Sequence, residues 1–180
     1  TDGNLSLIVY KNGEEKLYDV MGKFFQYLHD ELGDEPARFS LDFFGFVMER
    51  HDGMSIGQRL EDAVGRVDYI SPMMYPSHYP AGHLGLANPA AYPALVIDNG
   101  MTKGVPYVAS STTKIRPWIQ AFNIGAVYGA ENIRAEIDMV EKYDNAGWLL
   151  WNAANRYSEA GLKLENSHRQ RAGSRPGREK

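Results

Sequence analysis

Apolar positions follow two periods along this chain. Leu17, Val20, Met21, Phe24, Tyr27, Leu28 and Leu32 recur at three- and four-residue intervals, with Glu15, Asp19, Lys23, Gln26 and Asp30 opposite them. That spacing predicts a helix over Glu14–Leu32, stopped by Gly33 with Pro36 shortly beyond. Ahead of it, the apolar run Leu5–Tyr10 closes on the turn pair Asn12-Gly13 and reads as a strand or a surface-packed loop. Arg38–Met48 is aromatic and β-prone on both faces, as expected of a parallel-sheet strand covered by helices on each side. After the polar loop His51-Asp52-Gly53, Ser55 reads as the cap of a helix with stripe Ile56, Leu60, Ala63 and Val64.

The segment Val67–Gly85 organises the rest. Val67, Tyr69, Ile70, Met73 and Met74 make a strand-length apolar run. Tyr75-Pro76-Ser77-His78-Tyr79-Pro80 then sets polar-tipped rings between two prolines, which cannot donate ladder hydrogen bonds and so mark a loop. A helix is expected next, capped by Asn88 and running from Pro89 to about Asp98 before Asn99-Gly100. Further on come a strand over Lys114–Phe122, a helix over Ala130–Tyr143 with stripe Ile133, Ile137 and Val140, the turn Asn145-Ala146-Gly147, and a strand over Trp148–Trp151. Glu165–Lys180 has no apolar stripe and reads as a disordered basic tail after a domain spanning 1–164. Helix and strand alternate four times, which argues for parallel βα units. Four such units make about half of a (β/α)₈ barrel of ~250 residues. The rival, a small open α/β sheet, lacks a glycine-rich phosphate loop after any strand.

Composition narrows the function. The 180 residues suffice for one domain or a piece of a larger one, and the start Thr1-Asp2-Gly3-Asn4, without an initiator Met, is expected of a processed or excised segment. A net charge of −4 argues against general binding to nucleic acid or a membrane surface. No apolar run reaches the ~18 residues of a membrane span. The chain has no cysteine, which excludes disulfides and thiol or thiolate chemistry. His51, His78 and His83 share no zinc-type spacing, so neither metal nor other cofactor is expected. Ser77 and His78, adjacent in sequence, are expected to point in different directions, which leaves no Ser-His-Asp arrangement.

The ordered set Phe39–Gly45, Ile56-Gly57-Gln58, Asp68–Tyr79 (DYISPMMYPSHY), Arg116–Phe122 (RPWIQAF) and Gly147–Tyr157 (GWLLWNAANRY) resembles the C-terminal half of a glycoside hydrolase family. Its members are TIM-barrel proteins of the glycosidase clan with amylase-like barrels, mostly bacterial and often secreted or membrane-anchored. The likeness runs from about Asp2 to Leu162. It implies that Phe39–Val47, Val67–Tyr75, Ile115–Phe122 and Trp148–Trp151 are the fifth to eighth strands of a barrel. The fourth strand, with its Asp-Tyr-x-Arg-Phe-Pro motif and a catalytic Asp, would precede Asp2-Gly3. A half-barrel leaves strand edges unpaired, so self-association or pairing with an N-terminal half is expected.

Glycoside hydrolysis usually needs two carboxylates. Asp42, set inside an apolar strand, is the leading candidate, or else the structural partner of an Arg or a backbone amide. Glu49 is a reserve general acid, or a solvated loop carboxylate. Asp68, at the start of its strand, reads as a cap or ion-pair residue. Tyr75, His78 and Tyr79 would hold sugar hydroxyls, or pack against Pro76 and Pro80. Trp118 and Gln120 share a strand face and would line the lumen. In amylase-like relatives an acidic residue often sits near this point, where this chain has Ala121. Trp151 would stack on a pyranose while Asn152 bonds its hydroxyls, or Trp151 belongs to the core. The expected partner is a carbohydrate. The expected activity is a glycoside hydrolase acting on a polysaccharide, or else a non-catalytic binding or envelope module.

Overall fold

The computed structural model describes residues 15–162. The expected strand or loop at Leu5–Tyr10 and the tail Glu165–Lys180 lie outside that range. In order, the chain forms α1 (Leu17–Leu32), β1 (Ser40–Phe44), α2 (Leu60–Ala63), β2 (Tyr69–Met73), α3 (Pro93–Val108), β3 (Lys114–Ile115), β4 (Trp118–Gln120), α4 (Ala130–Val140) and β5 (Leu149–Trp151). The fold is α/β with a parallel sheet. β1 pairs with β2, β2 with both β3 and β4, and β4 with β5, all in parallel. The two short strands β3 and β4 are one extended segment broken at Arg116-Pro117, where proline removes a ladder donor. Neighbours in the sheet therefore follow chain order.

One apolar core joins the helices to one face of this sheet. Phe25 of α1, Leu60 and Ala63 of α2, Ile97 and Met101 of α3, and Ile133, Ile137 and Val140 of α4 pack with Phe43, Ile70, Ile115 and Ile119. Each of the larger side chains, fully buried, contributes about 1.5–3 kcal/mol, and the single methyl of Ala63 less. The opposite face is not covered to the same degree: Asp42, Phe44 and Trp151 are exposed. The expectation that β1 is enclosed on both sides is thus corrected. Its aromatic residues divide, Phe43 inward onto Phe25 with ring centroids 5.5 Å apart, and Phe44 outward.

Three helix expectations change for local physical reasons. α1 turns its predicted stripe partly to solvent, with Val20, Phe24, Tyr27 and Leu32 between 41% and 58% exposed. Phe25, outside that stripe, is the buried residue. Ser55 caps no helix. Asp52 accepts the Met54 N–H instead, and the backbone makes a tight turn with Met54 and Ser55 at positive φ. The start expected at Asn88 is a separate short 3-10 turn, Pro89–Ala91, with no side-chain cap from Asn88; α3 begins at Pro93 and runs through Asn99-Gly100 to Val108. Gly100 and Gly104 end nothing; they let α3 approach the segments that follow β1 and β2. A Cβ at Gly100 would lie 2.4 Å from Met74 Cε, and one at Gly104 would lie 2.4 Å from Met48 Cε.

Candidate functional site

Asp42 lies mid-way along β1, opposite Ser71 in the β1–β2 register. Its Oδ1 accepts the indole N–H of Trp118 at 2.9 Å. Trp118 in turn meets Trp151 at the end of β5 edge-on, with centroids 5.9 Å apart. Three strands thus place one carboxylate and two indoles together on the uncovered face. No described residue bonds the other oxygen of Asp42. The alternative reading of Asp42 as the partner of an arginine or a backbone amide is replaced by an indole partner.

Above this group, Tyr75 follows β2 and packs edge-on against His78 (5.3 Å) and Phe122 (5.6 Å); His78 also meets Phe122 at 5.9 Å. Burial pushes the Tyr75 phenol above its ordinary value, and the charge of Asp42 adds to that shift. Partial burial holds the His78 imidazole below its ordinary value. A cleft of about 310 Å³ lies beside them, lined by His78, Phe122, Asn123, Ile124, Trp151 and Asn152.

Several expected site residues do other work. Tyr79 does not converge with Tyr75 and His78. It is buried in the opposite direction against Phe46 and His83, with centroids 4.5 and 4.6 Å away. Burial raises its phenol far above the ordinary value. Glu49 is no solvated loop carboxylate: its side chain is 8% exposed and contacts His83 Nε2 at 3.4 Å and Lys103 Nζ at 3.5 Å. It faces this buried group, which ties the segment after β2 to α3. Gln120 is fully buried, with Oε1 accepting the Ser77 N–H (3.1 Å) and Nε2 donating to the Phe122 carbonyl (2.9 Å). Asn152 spends its amide on backbone groups, donating across to the Ala121 carbonyl after β4 and accepting the Ala154 N–H within its own turn.

Ser77 and His78 do not diverge: Ser77 Oγ lies 3.1 Å from His78 Nδ1. This exposed pair has no third, acidic member in contact with it among the described residues, so it makes no triad. Asp68 matches its reading, accepting the Phe39 N–H and pairing with Arg38 at 2.7 Å. Those donors hold its carboxyl below the usual range, the Phe39 N–H foremost. Among the described residues no cluster of three or more His, Cys, Asp or Glu is placed to hold a metal. No described helix is long and apolar enough to cross a membrane.

Two residues escaped the sequence reading. Phe122, at the end of the Lys114–Phe122 run, closes the ring cluster. Glu136 is fully buried on α4, accepting the Gln120 N–H and the Tyr128 hydroxyl. A signal for Glu136 was present, since it sits between Ile133 and Ile137 on the stripe that faces the core.

The chain thus defines an α/β protein that displays an acid and two indoles on the open face of a parallel sheet. It belongs to the family described as "Putative glycosyl hydrolase domain", whose model matches residues 1–157. No curated protein and no solved structure matches the chain.

Proposed function

We propose that this chain is the C-terminal half, strands five to eight, of a (β/α)₈ barrel that acts on a polysaccharide. The observation that carries this reading is Asp42 on the uncovered face, joined to Trp118 and next to Trp151. Strand order supports the half-barrel: parallel neighbours follow chain order and the helices pack into one core on one face, as in a barrel wall. Trp151 stacks on a pyranose ring, His78 bonds hydroxyls, and Tyr75 and Trp118 fix the surroundings of Asp42. An N-terminal half-barrel brings the second carboxylate. One acid protonates the leaving glycosidic oxygen, while the other carboxylate attacks the anomeric carbon or activates water. Glu49, Tyr79, Gln120 and Asn152 serve as structural supports.

The chain on its own, with Asp42 the carboxylate that the described residues place on that face, is expected to be inactive. It is expected to self-associate or to pair with the N-terminal half through β1, β5 and the apolar side chains of α1; a stable monodisperse monomer in light scattering would count against this. In the protein carrying both halves, release of reducing ends from bacterial polysaccharides is expected to fall about 10²–10⁴-fold in Asp42→Asn. Unchanged turnover in that variant removes Asp42 from the chemistry.

A second reading, a non-catalytic carbohydrate-binding or envelope module, is favoured by one observation. Glu49, the other acid expected at the site, is turned away into a buried contact with His83 and Lys103. Glycan retention on affinity gels without turnover selects this reading. A result of neither binding nor turnover sinks the hydrolase and the carbohydrate-binding module and leaves a structural part of an envelope assembly.

A further inference from the structure

Glu136 is out of place by the rules of its own helix. It is 0% exposed, and burial pushes its carboxyl well above the ordinary range even though the Tyr128 hydroxyl and the Gln120 N–H both stabilise the anion. An apolar side chain would fill the same position between Ile133 and Ile137 without that desolvation. What it could not do is hold two donors in fixed places. Oε2 accepts the Gln120 N–H at 2.9 Å, and Oε1 accepts the Tyr128 hydroxyl.

From those donors two arms reach the cleft. In the first, Gln120 passes the constraint on: its Oε1 takes the Ser77 N–H and its Nε2 holds the Phe122 carbonyl. Ser77 Oγ then lies against His78 Nδ1. In the second, the Tyr128 N–H donates to Asn123 Oδ1 at 2.7 Å, fixing the residue that follows Phe122. His78, Phe122 and Asn123 all line the cleft.

We propose that Glu136 and Gln120 are positioning residues, a buried fork that sets the His78–Phe122 wall and leaves His78 Nε2 as the ring nitrogen offered to a bound hydroxyl. The use of that nitrogen rests on the carbohydrate reading above, whereas the fork is tested without any ligand. Long-range ¹H–¹⁵N spectra of the full chain report the His78 tautomer and titration midpoint, and NOEs report its contact with Phe122. Tyr75, Ser77 and Phe122 face this imidazole, so the midpoint reads the integrity of the wall.

The parent chain is expected to show a midpoint below the ordinary value of about 6.5 and a His78–Phe122 NOE. Glu136→Gln keeps its one amide oxygen as acceptor for the Gln120 N–H and donates its amide N–H to the Tyr128 hydroxyl oxygen, which can accept, so both arms and both signals stay in place. Glu136→Leu and Gln120→Leu, with far-UV circular dichroism unchanged, raise the midpoint toward the ordinary value and weaken the NOE. Parent-like midpoint, tautomer and NOE in both folded variants overturn the proposal and reduce Glu136 to a hydrogen-bonding group of the core. If either leucine variant fails to fold, Tyr128→Phe decides. It cuts the second arm while keeping the ring, and an unchanged His78–Phe122 NOE in it overturns the fork. Because no sugar is present in any of these measurements, failure of the carbohydrate reading leaves their outcome unaffected.

Discussion

The two faces of the sheet are built from alternate residues of the same strands, yet they obey different rules. Toward the helices lie Phe43, Ile70, Ile115 and Ile119, all essentially inaccessible and in mutual contact. Toward the open side lie Asp42, Trp118 and Trp151, joined by one hydrogen bond and one edge-on ring contact. The covered face carries stability, because apolar area removed from water scales with free energy. The open face keeps an acid and two indoles where a ligand can reach them, and the proposed chemistry is placed there. A single-residue step along β1, from Asp42 to Phe43, crosses from one regime to the other.

Breaking the covered face should have the largest effect. Ile119→Ala or Ile137→Ala is expected to cost about 2–5 kcal/mol in chemical denaturation, since a cavity remains where the side chain was. A loss below 1 kcal/mol would mean that this core repacks freely. Next comes Gly104→Ala. Alanine favours a helix by about 1 kcal/mol over glycine, but its Cβ would lie 2.6 Å from Met48 Sδ and 3.2 Å from the Met48 Cα, a backbone atom that cannot swing away. Crowding is expected to win, giving a net loss of about 1–3 kcal/mol.

Glu136 sharpens the comparison through pH. Its folded carboxyl titrates above its unfolded value of 4.5, so over that window the native chain holds the proton that the unfolded chain has released. Stability therefore falls as pH rises from about 4.5 toward the folded value, with a slope of at most about 1.4 kcal/mol per pH unit. Glu136→Gln cannot ionise and should flatten that part of the stability–pH curve; an identical slope in parent and variant would refute the buried titration. The smallest effects belong to the open face. Asp42→Asn and Trp151→Ala should change stability by only about 0.5 kcal/mol or less, while glycan retention or turnover is lost. A larger loss of stability on either would mean that this face is part of the core.

Much of this was legible in the residues, and the exceptions share a cause. Strand positions, their parallel alternation with helices and the role of Asp68 follow from local periods and capping chemistry. The family was legible in the ordered words from Phe39 to Tyr157. Tyr79 and Glu49 were misplaced because sequence adjacency to a strand end does not say which way a side chain turns. Tyr79 turns to Phe46 and His83, and Glu49 to His83 and Lys103, through contacts 30 or more residues apart for every pair but Tyr79–His83. Gln120 and Asn152 looked available as amides until nearby backbone groups took both ends of each.

Local patterns along the residues suffice for the α/β class, the order of strands and helices, and the family. These depend on hydrophobic period, turn residues and a specific ordered word set, all of which are local in the chain. Packing between distant segments is what bonds Asp42 to Trp118, 76 residues away, buries Glu136 on two donors, and sends Tyr75 and Tyr79 to different neighbours. Those outcomes are set by which side chains meet across strands and layers, and by which polar groups find partners once water is excluded.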